Sequence, residues 1–258
     1  MTAYALMESP RSTGAYRIVS RQDPEKGIVQ DVSAAIFLRG DVERMGIAPL
    51  TSMFWYGKMN ERLGTDWRPE IHDSDGLEIL SGNGERIWRP LNNPPRTMAN
   101  AFWAPSVQGF GLMQRERDFD RYQDDGVFYD RRASVWVAPT ADWGQGAVTL
   151  VEIPTNDEIH DNIVAMWTPA DPATAGKEYD IGYRLTWYGD SPVPPTTGQF
   201  GAVRLGKGGI PGQPRPDNVV KVVCDFDGYG LDGLGRGDGV GLEVSASRGT
   251  TGNMDVFP

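Results

Sequence analysis

The sequence predicts an all-β protein, a sandwich or a barrel of short antiparallel strands. Three observations carry this. Apolar and polar residues alternate with period two in several runs. Glycine and proline, 32 and 19 of the 258 residues, gather between those runs. No segment keeps a long helical period of apolar positions.

In chain order, Val32, Ala34, Ile36 and Leu38 form the first clear row on one face of a strand. Val135-Trp-Val137 and Val148 to Ile153 read as two more strands. Tyr179, Ile181, Tyr183, Leu185 and Trp187 alternate with Asp180, Gly182, Arg184 and Thr186, the pattern of a half-buried strand whose aromatic side faces a core or a cleft. Composition changes after Asp190. The eight tryptophans all lie at or before Trp187, and Ser191-Pro-Val-Pro-Pro195 opens a Pro- and Gly-rich stretch to Pro216. That stretch, 191–216, reads as a linker between a large region, 1–190, and a small one, 217–258. The small region starts a strand at Val219-Val-Lys-Val-Val223 and continues into a glycine-rich tail, Leu231 to Gly241. It is short for an independent core. No internal repeat is present.

The charge excludes several roles. With 25 basic and 35 acidic residues the net charge is −10, a surface that repels phosphate backbones and anionic lipid, so neither nucleic acid nor a membrane surface is expected as a partner. Val32 to Leu38 is too short to span a bilayer. The single cysteine, Cys224, excludes an internal disulfide and a cysteine-based zinc site, and two histidines, His72 and His160, leave little room for a histidine-rich centre. No metal and no cofactor is expected. Met1 to Glu8 lacks the basic and apolar regions of a secretory signal. The two ends read as cut.

Chemistry concentrates between residues 51 and 167, which hold most of the tryptophans with many Asp, Asn, Gln and Arg residues. Tryptophan faces stack on the C–H faces of sugar rings while polar groups bond the hydroxyls, so an acidic, tryptophan-rich β protein is a carbohydrate-binding candidate. The plain alternative is that the tryptophans are core residues with a bonded indole. Two segments set carboxylates beside polar partners: Glu70-Ile-His-Asp-Ser-Asp75 and Glu158-Ile-His-Asp-Asn162. Glycoside hydrolysis needs two carboxyl groups across one bond, one protonated and one ionised, and Asp73 and Asp161 are candidates. The alternative is a solvated Asx-type turn. A Ser-His-Asp triad lacks a Gly-x-Ser-x-Gly elbow, and Gly235-Arg-Gly-Asp-Gly239 lacks the Lys-Ser/Thr of a phosphate loop.

An ordered series of motifs adds to this: Glu43 to Phe54, Arg68 to Leu77, Gly82-Asn-Gly-Glu85, Trp88 to Pro94, Gly109 to Phe119, Tyr122 to Gly126, Val135 to Pro139, Trp143-Gly-Gln-Gly146, Val151 to Thr155 and Asp161-Asn-Ile-Val164. In this order they resemble the periplasmic glucan biosynthesis proteins OpgG and OpgD (MdoG and MdoD), densely over 1–190 and loosely over 215–258. The resemblance implies a galactose-mutarotase-like β-sandwich, incomplete at its N-terminus, followed by the start of a truncated immunoglobulin-like β-domain. It implies a periplasmic location and a role in osmoregulated periplasmic glucan biosynthesis, with β-1,2-glucan polysaccharide as partner; a homodimer stays open. OpgD-like members are similar to inverting endo-β-1,2-glucanases, which implies Asp161 as general acid and Asp73 as general base, the base acting through a relay of water and substrate hydroxyl. On that footing Asp161 is expected in a less polar pocket than Asp73, with the two carboxyls at least roughly 6.5 Å apart. Arg68 and Asn83 are expected to help keep Asp73 ionised. Trp88, Trp103, Arg117 and Tyr122, with His72, complete the expected substrate-binding set. His160 stands where the family usually has an apolar residue. A non-catalytic glucan-binding scaffold is the alternative.

Overall fold

The computed structural model describes residues 1–257 apart from 62, 63, 192, 195, 229, 232 and 236. Two members of the expected linker and two of the glycine-rich tail thus lie outside the described residues. The chain forms two compact units, Met1–Val193 and Pro194–Pro258.

Among its described residues the first unit is mostly β, with a helical turn, α1 (Phe119–Tyr122), and a 3-10 turn (Tyr129–Arg131). Its strands are β1 (Thr2–Glu8), β2 (Ser12–Asp23), β3 (Gly27–Leu38), β4 (Ile47–Ser52), β5 (Phe54–Tyr56), β6 (Ile71–His72), β7 (Gly76–Leu80), β8 (Arg86–Pro90), β9 (Met98–Trp103), β10 (Gly109–Met113), β11 (Ser134–Pro139), β12 (Gly146–Glu152), β13 (Ile163–Pro169) and β14 (Glu178–Tyr188). Eight of them make one antiparallel sheet in the order β1-β2-β3-β14-β11-β10-β7-β8, and four make a second, β4-β13-β12-β9. The sheets meet in one core. Val32, Ile36, Ile79, Phe110, Val137 and Ile181 come from the larger sheet, and Ile47, Leu50, Val148, Leu150, Ala165 and Trp167 from the smaller. This is the sandwich expected of alternating strands with one buried face. The expected row Val32, Ala34, Ile36, Leu38 is the buried side of β3.

Several tryptophans pack on strand glycines. A Cβ on Gly109 would meet the Trp136 ring at 2.4 Å, one on Gly76 would meet Trp88 at 2.4 Å, and one on Gly146 would meet Trp167 at 2.4 Å. At these three positions the aromatic mass fills sheet surface.

The chain crosses between sheets at one end of the sandwich. It leaves the smaller sheet at β4, runs through the short β5–β6 ladder, and enters the larger sheet at β7. A second, small cluster of Met53, Tyr56, Ile71, Tyr122 and Tyr129 fills this crossing.

The second unit holds β15 (Gln199–Gly206) and β16 (Lys221–Asp227), which pair antiparallel as a two-stranded sheet. β15 lies inside the stretch that composition reads as linker. Its partner is some twenty residues away, so the pairing leaves no trace in the local Pro/Gly content. Every residue of β16 is exposed.

Candidate active site

Asp73 and Asp161 both lie at the crossing end of the sandwich, and hydrogen bonds explain how positions so far apart in sequence come together. Asp73 directly follows β6, and its N–H donates to the Met53 carbonyl at 2.9 Å. Ser74 and Ser52 hydroxyls meet at 2.9 Å, and the Asp75 N–H donates to Met113. The segment is stitched into both sheets and is no solvated turn. Asp161 lies in the loop between β12 and β13. Next to it, the buried Asn162 donates from Nδ2 to the Phe54 and Ile153 carbonyls, each at 2.9 Å, and accepts the Phe54 N–H at 2.8 Å. Phe54 pairs with His72 across the β5–β6 ladder. One hydrogen-bonded path therefore runs from Asn162 through Phe54 and Met53 to Asp73.

The loop carrying Asp161 has two further anchors. Asn93 and Thr155 exchange hydrogen bonds, Nδ2 to the Thr155 carbonyl at 2.7 Å and the Thr155 N–H to Oδ1 at 3.0 Å. Glu158 accepts from both terminal nitrogens of Arg68 at 2.9 Å and from the Tyr129 hydroxyl. Ile159, His160 and Asp161 form the exposed tip.

The two aspartates occupy unlike surroundings. Burial raises the Asp73 carboxyl above the usual carboxylate range; the Arg132 guanidinium, its Nε 3.0 Å from Oδ1, opposes this, the charge of Asp161 adds to it, and His72 opposes it. Asp161 is close enough for its charge to be felt at Asp73, yet it is exposed. The less polar surroundings belong to Asp73, the reverse of the expectation stated above.

A buried polar layer lies beneath Asp73. His72 is fully buried, with Nδ1 3.1 Å from Gln114 Oε1, Nε2 3.1 Å from Glu70 Oε2 and Asp75 Oδ1 3.7 Å from Nε2. Glu70 Oε1 in turn accepts from Arg121, at 2.7 Å from Nε and 2.6 Å from a terminal nitrogen. Asp75 Oδ2 accepts the backbone N–H groups of Arg115 and Glu116. Burial works against the charge of Glu70, but its His72 and Arg121 partners hold the carboxyl below its ordinary value. Glu70, His72 and Asp75 bring ligand-type atoms within 4.8 Å of one another. Each is already engaged by a protein partner, so a cation there would have to break the ion pairs and hydrogen bonds just described.

The other expected site residues divide by place. Arg68 is buried among Asp66, Asp124 and Glu158, at 2.9, 2.7 and 2.9 Å, which hold its guanidinium charged; it does not reach Asp73. Tyr122 is fully buried under the polar layer, edge-on to His72, its hydroxyl accepting from Gln114 Nε2 at 2.7 Å. Arg117 donates to the carbonyls of Asp130, Arg132 and Gly189. Trp88 packs on Gly76 and carries the Arg115 guanidinium 3.4 Å over its ring. Asn83 and Trp103 stand at the far end. Asn83 caps the β7–β8 turn by accepting the Glu85 N–H, about 13–17 Å along β7 from the crossing. Trp103, 57% exposed, lies on the outer face of β9 opposite Ala147, whereas the Asp161 loop leaves β12 opposite Met98. It lines a shallow groove of about 270 Å³ with Arg44, Ala101 and Thr149. Sequence reasoning did not single out Arg132, Gln114, Glu70, Arg121 or the Asn162 clamp. Glu70, Gln114 and Asn162 do stand within the motifs quoted above.

Known proteins match this chain along its whole length. Residues 1–258 fit the family described as periplasmic glucan biosynthesis protein, MdoG. The chain is 53% identical over 250 residues to glucans biosynthesis protein D 2 of Ralstonia nicotianae, covering 97% of this chain and 46% of that one. It is 48% identical over 248 residues to probable glucans biosynthesis protein D of Shewanella oneidensis, covering 96% and 46%. It is also 48% identical over 241 residues to glucans biosynthesis protein D of Xylella fastidiosa, covering 93% and 44%. The chain spans about half the length of the curated relatives it matches. With a two-sheet β fold, an ordered series of motifs and a family match from end to end, the chain belongs to the periplasmic glucan biosynthesis protein family, MdoG.

Proposed function

We propose that this chain serves periplasmic glucan biosynthesis as the part of a glucan-processing enzyme that carries its acid–base pair, and that the reaction is endo-hydrolysis of a β-1,2-glucan backbone with inversion. The observation behind this is the placing of Asp73 and Asp161 at the crossing, where the charge of Asp161 is felt at Asp73 and the Asn162–Phe54–Met53 path ties the two segments. In the reaction Asp161 gives its proton to the bridging oxygen as the bond to the anomeric carbon breaks. A water enters from the opposite face, and its proton passes through a sugar hydroxyl to Asp73. Exchange with solvent returns both groups to their starting states. Acid and base each contribute on the order of 10²–10⁴ in rate.

A second reading exchanges the roles, and the raised carboxyl of Asp73 favours it. The leaving group separates the two. An aryl glycoside of a β-1,2-linked oligosaccharide needs little proton donation, so the variant lacking the acid keeps activity on it while the variant lacking the base does not. Asp161→Asn is expected to cleave the aryl substrate and fail on the polymer, and Asp73→Asn to fail on both. The opposite pattern assigns the roles the other way. A chain that binds β-1,2-glucan and leaves its length unchanged is a scaffold, and the hydrolase reading falls.

A further inference from the structure

The hydrogen bonds around His72 fix its protonation. Gln114 Nε2 faces the carbonyls of His72 and Tyr129, at 3.3 and 3.1 Å, and the Tyr122 hydroxyl at 2.7 Å. The two carbonyls only accept, so this atom is the amide donor, and Oε1 is the acceptor that meets His72 Nδ1. Nδ1 therefore carries a proton. Nε2 faces the Glu70 carboxylate, kept ionised by Arg121, and beyond it Asp75. Both accept, so Nε2 carries a proton too. Apart from these two carboxylates, the groups named on the ring's other sides are not bases: Phe54 stacks on it with centroids 5.4 Å apart, Tyr122 meets it edge-on at 5.3 Å, and the Gly57 backbone lies at the Nε2 edge.

We propose that His72 is a permanent imidazolium and acts as the positioning residue that keeps Asp73 ionised for its role as proton acceptor. This rests on the reading of Asp73 as the base. Two cations oppose the burial of Asp73, and they are unlike. Arg132 has a side chain 44% exposed and is screened by water and salt. His72 has none of its side chain exposed, so its charge acts through a low-dielectric interior and is not screened. Neighbouring positions in the chain, Asp73 at the site and His72 beneath it, thus form a base and its buried counter-charge. The charges facing His72 are Glu70 from the residue just before β6, Asp75 and Asp73 from the segment that follows, and Arg121 from α1 acting through Glu70. With Asp75 and Glu70 beside it, the ring is held charged above the usual histidine range despite its burial.

The test is made on the full chain labelled with ¹⁵N in histidine and ¹³C in the aspartate carboxyl. His160, the other histidine, is exposed; His160→Gln assigns the signals. The expected result is that both His72 nitrogens are protonated and unchanged from about pH 5 to about 8, the range in which a free imidazole titrates. Asp73 is ionised at neutral pH in the parent chain, and its midpoint rises by about one pH unit in His72→Gln. The acidic limb of the rate profile on β-1,2-glucan rises with it, because a base with a raised pKa is lost at a higher pH. A purely structural His72 would change the melting temperature and leave the Asp73 midpoint in place. A neutral or titrating His72 in the parent chain overturns the proposal, as does an Asp73 protonated at neutral pH or a midpoint that His72→Gln does not move. The two nitrogens are read on the parent chain, so this arm stands even where the variant does not fold. Absence of glucan cleavage by the parent chain defeats the hydrolase reading alone, since the NMR results do not depend on turnover.

Discussion

Truncating Asn162 to alanine removes three hydrogen bonds at once and leaves the Phe54 N–H and two carbonyls without partners in a buried place. Orphaned buried groups of this kind cost about 2–4 kcal/mol together, and urea denaturation is the measurement. The same change frees the loop that carries Asp161, so glucan cleavage falls with it. Arg68 is the second residue on which the site depends. Arg68→Ala leaves Asp66, Asp124 and Glu158 as like charges around an empty place, at an expected cost of about 3–5 kcal/mol, the usual result of stripping one partner from a buried ion cluster. Arg68 hydrogen bonds hold Asp66 and Glu158 below their ordinary values; Asp124 is held low against burial by the Val127 and Gly126 N–H groups and by Arg68. A carboxylate with a depressed folded pKa contributes stability that is present above its unfolded value and lost as pH falls through its folded one. The unfolded values are 3.8 for aspartate and 4.5 for glutamate. Denaturation midpoints of the parent chain are therefore expected to fall steeply below pH 4.5, and those of Arg68→Ala to fall less. Equal acid slopes would remove the cluster from the account of stability.

At the scale of strands, the aromatic seats make a direct prediction. Gly109→Ala drives a methyl into the Trp136 ring, whose nearest atom would stand 2.4 Å away. Overpacking of this kind costs about 1–3 kcal/mol, read as a lower melting temperature with a shifted tryptophan emission. The strands that sequence reading found by alternation were those with one wet and one dry face, β3 and β14, because burial on a single face writes a period-two row; β11 and β12, buried at most positions, were read from short apolar runs. β10 is buried at all five positions, so it carries no alternation and was found only as a motif. β5 and β6, three and two residues long, are too short to show a period, yet they place the site. The two aspartates could be proposed from sequence because their motifs are local strings. Their surroundings could not. The Asn162–Phe54 clamp and the Arg68–Glu158 pair join residues 108 and 90 positions apart. No local pattern separates Arg68, buried among carboxylates, from an arginine poised beside Asp73. Motif proximity likewise put Asn83 and Trp103 with the aspartates, whereas β7 and β9 carry them to the other end of the sandwich.

For the molecule as a whole, the two units differ in what they contribute. Among its described residues the unit Pro194–Pro258 has one two-stranded sheet and few buried side chains, and such a hairpin is marginal on its own. A chain ending at Val193 is expected to melt at the same temperature as the full chain, by calorimetry; a large drop would show the second unit to be a support. In the first unit β1 ends the larger sheet with Tyr4 and Leu6 77% and 88% exposed. A bare edge of that kind invites strand pairing between copies, so the elution volume on size exclusion is expected to shift with concentration and to stop shifting in Leu6→Lys. The chain spans about half the length of the curated relatives it matches, and the proposed acid–base pair lies at the crossing end of its sandwich. The most direct test of that pair is the anomeric configuration of newly formed reducing ends, followed by ¹H NMR as linear β-1,2-glucan is incubated with the full chain and with Asp161→Asn. The parent chain is expected to shorten the polymer and release α-configured ends first, and Asp161→Asn to bind the polymer without shortening it. Ends that appear first in the β configuration, or turnover retained by Asp161→Asn, would contradict the assignment of Asp73 and Asp161 as an inverting pair.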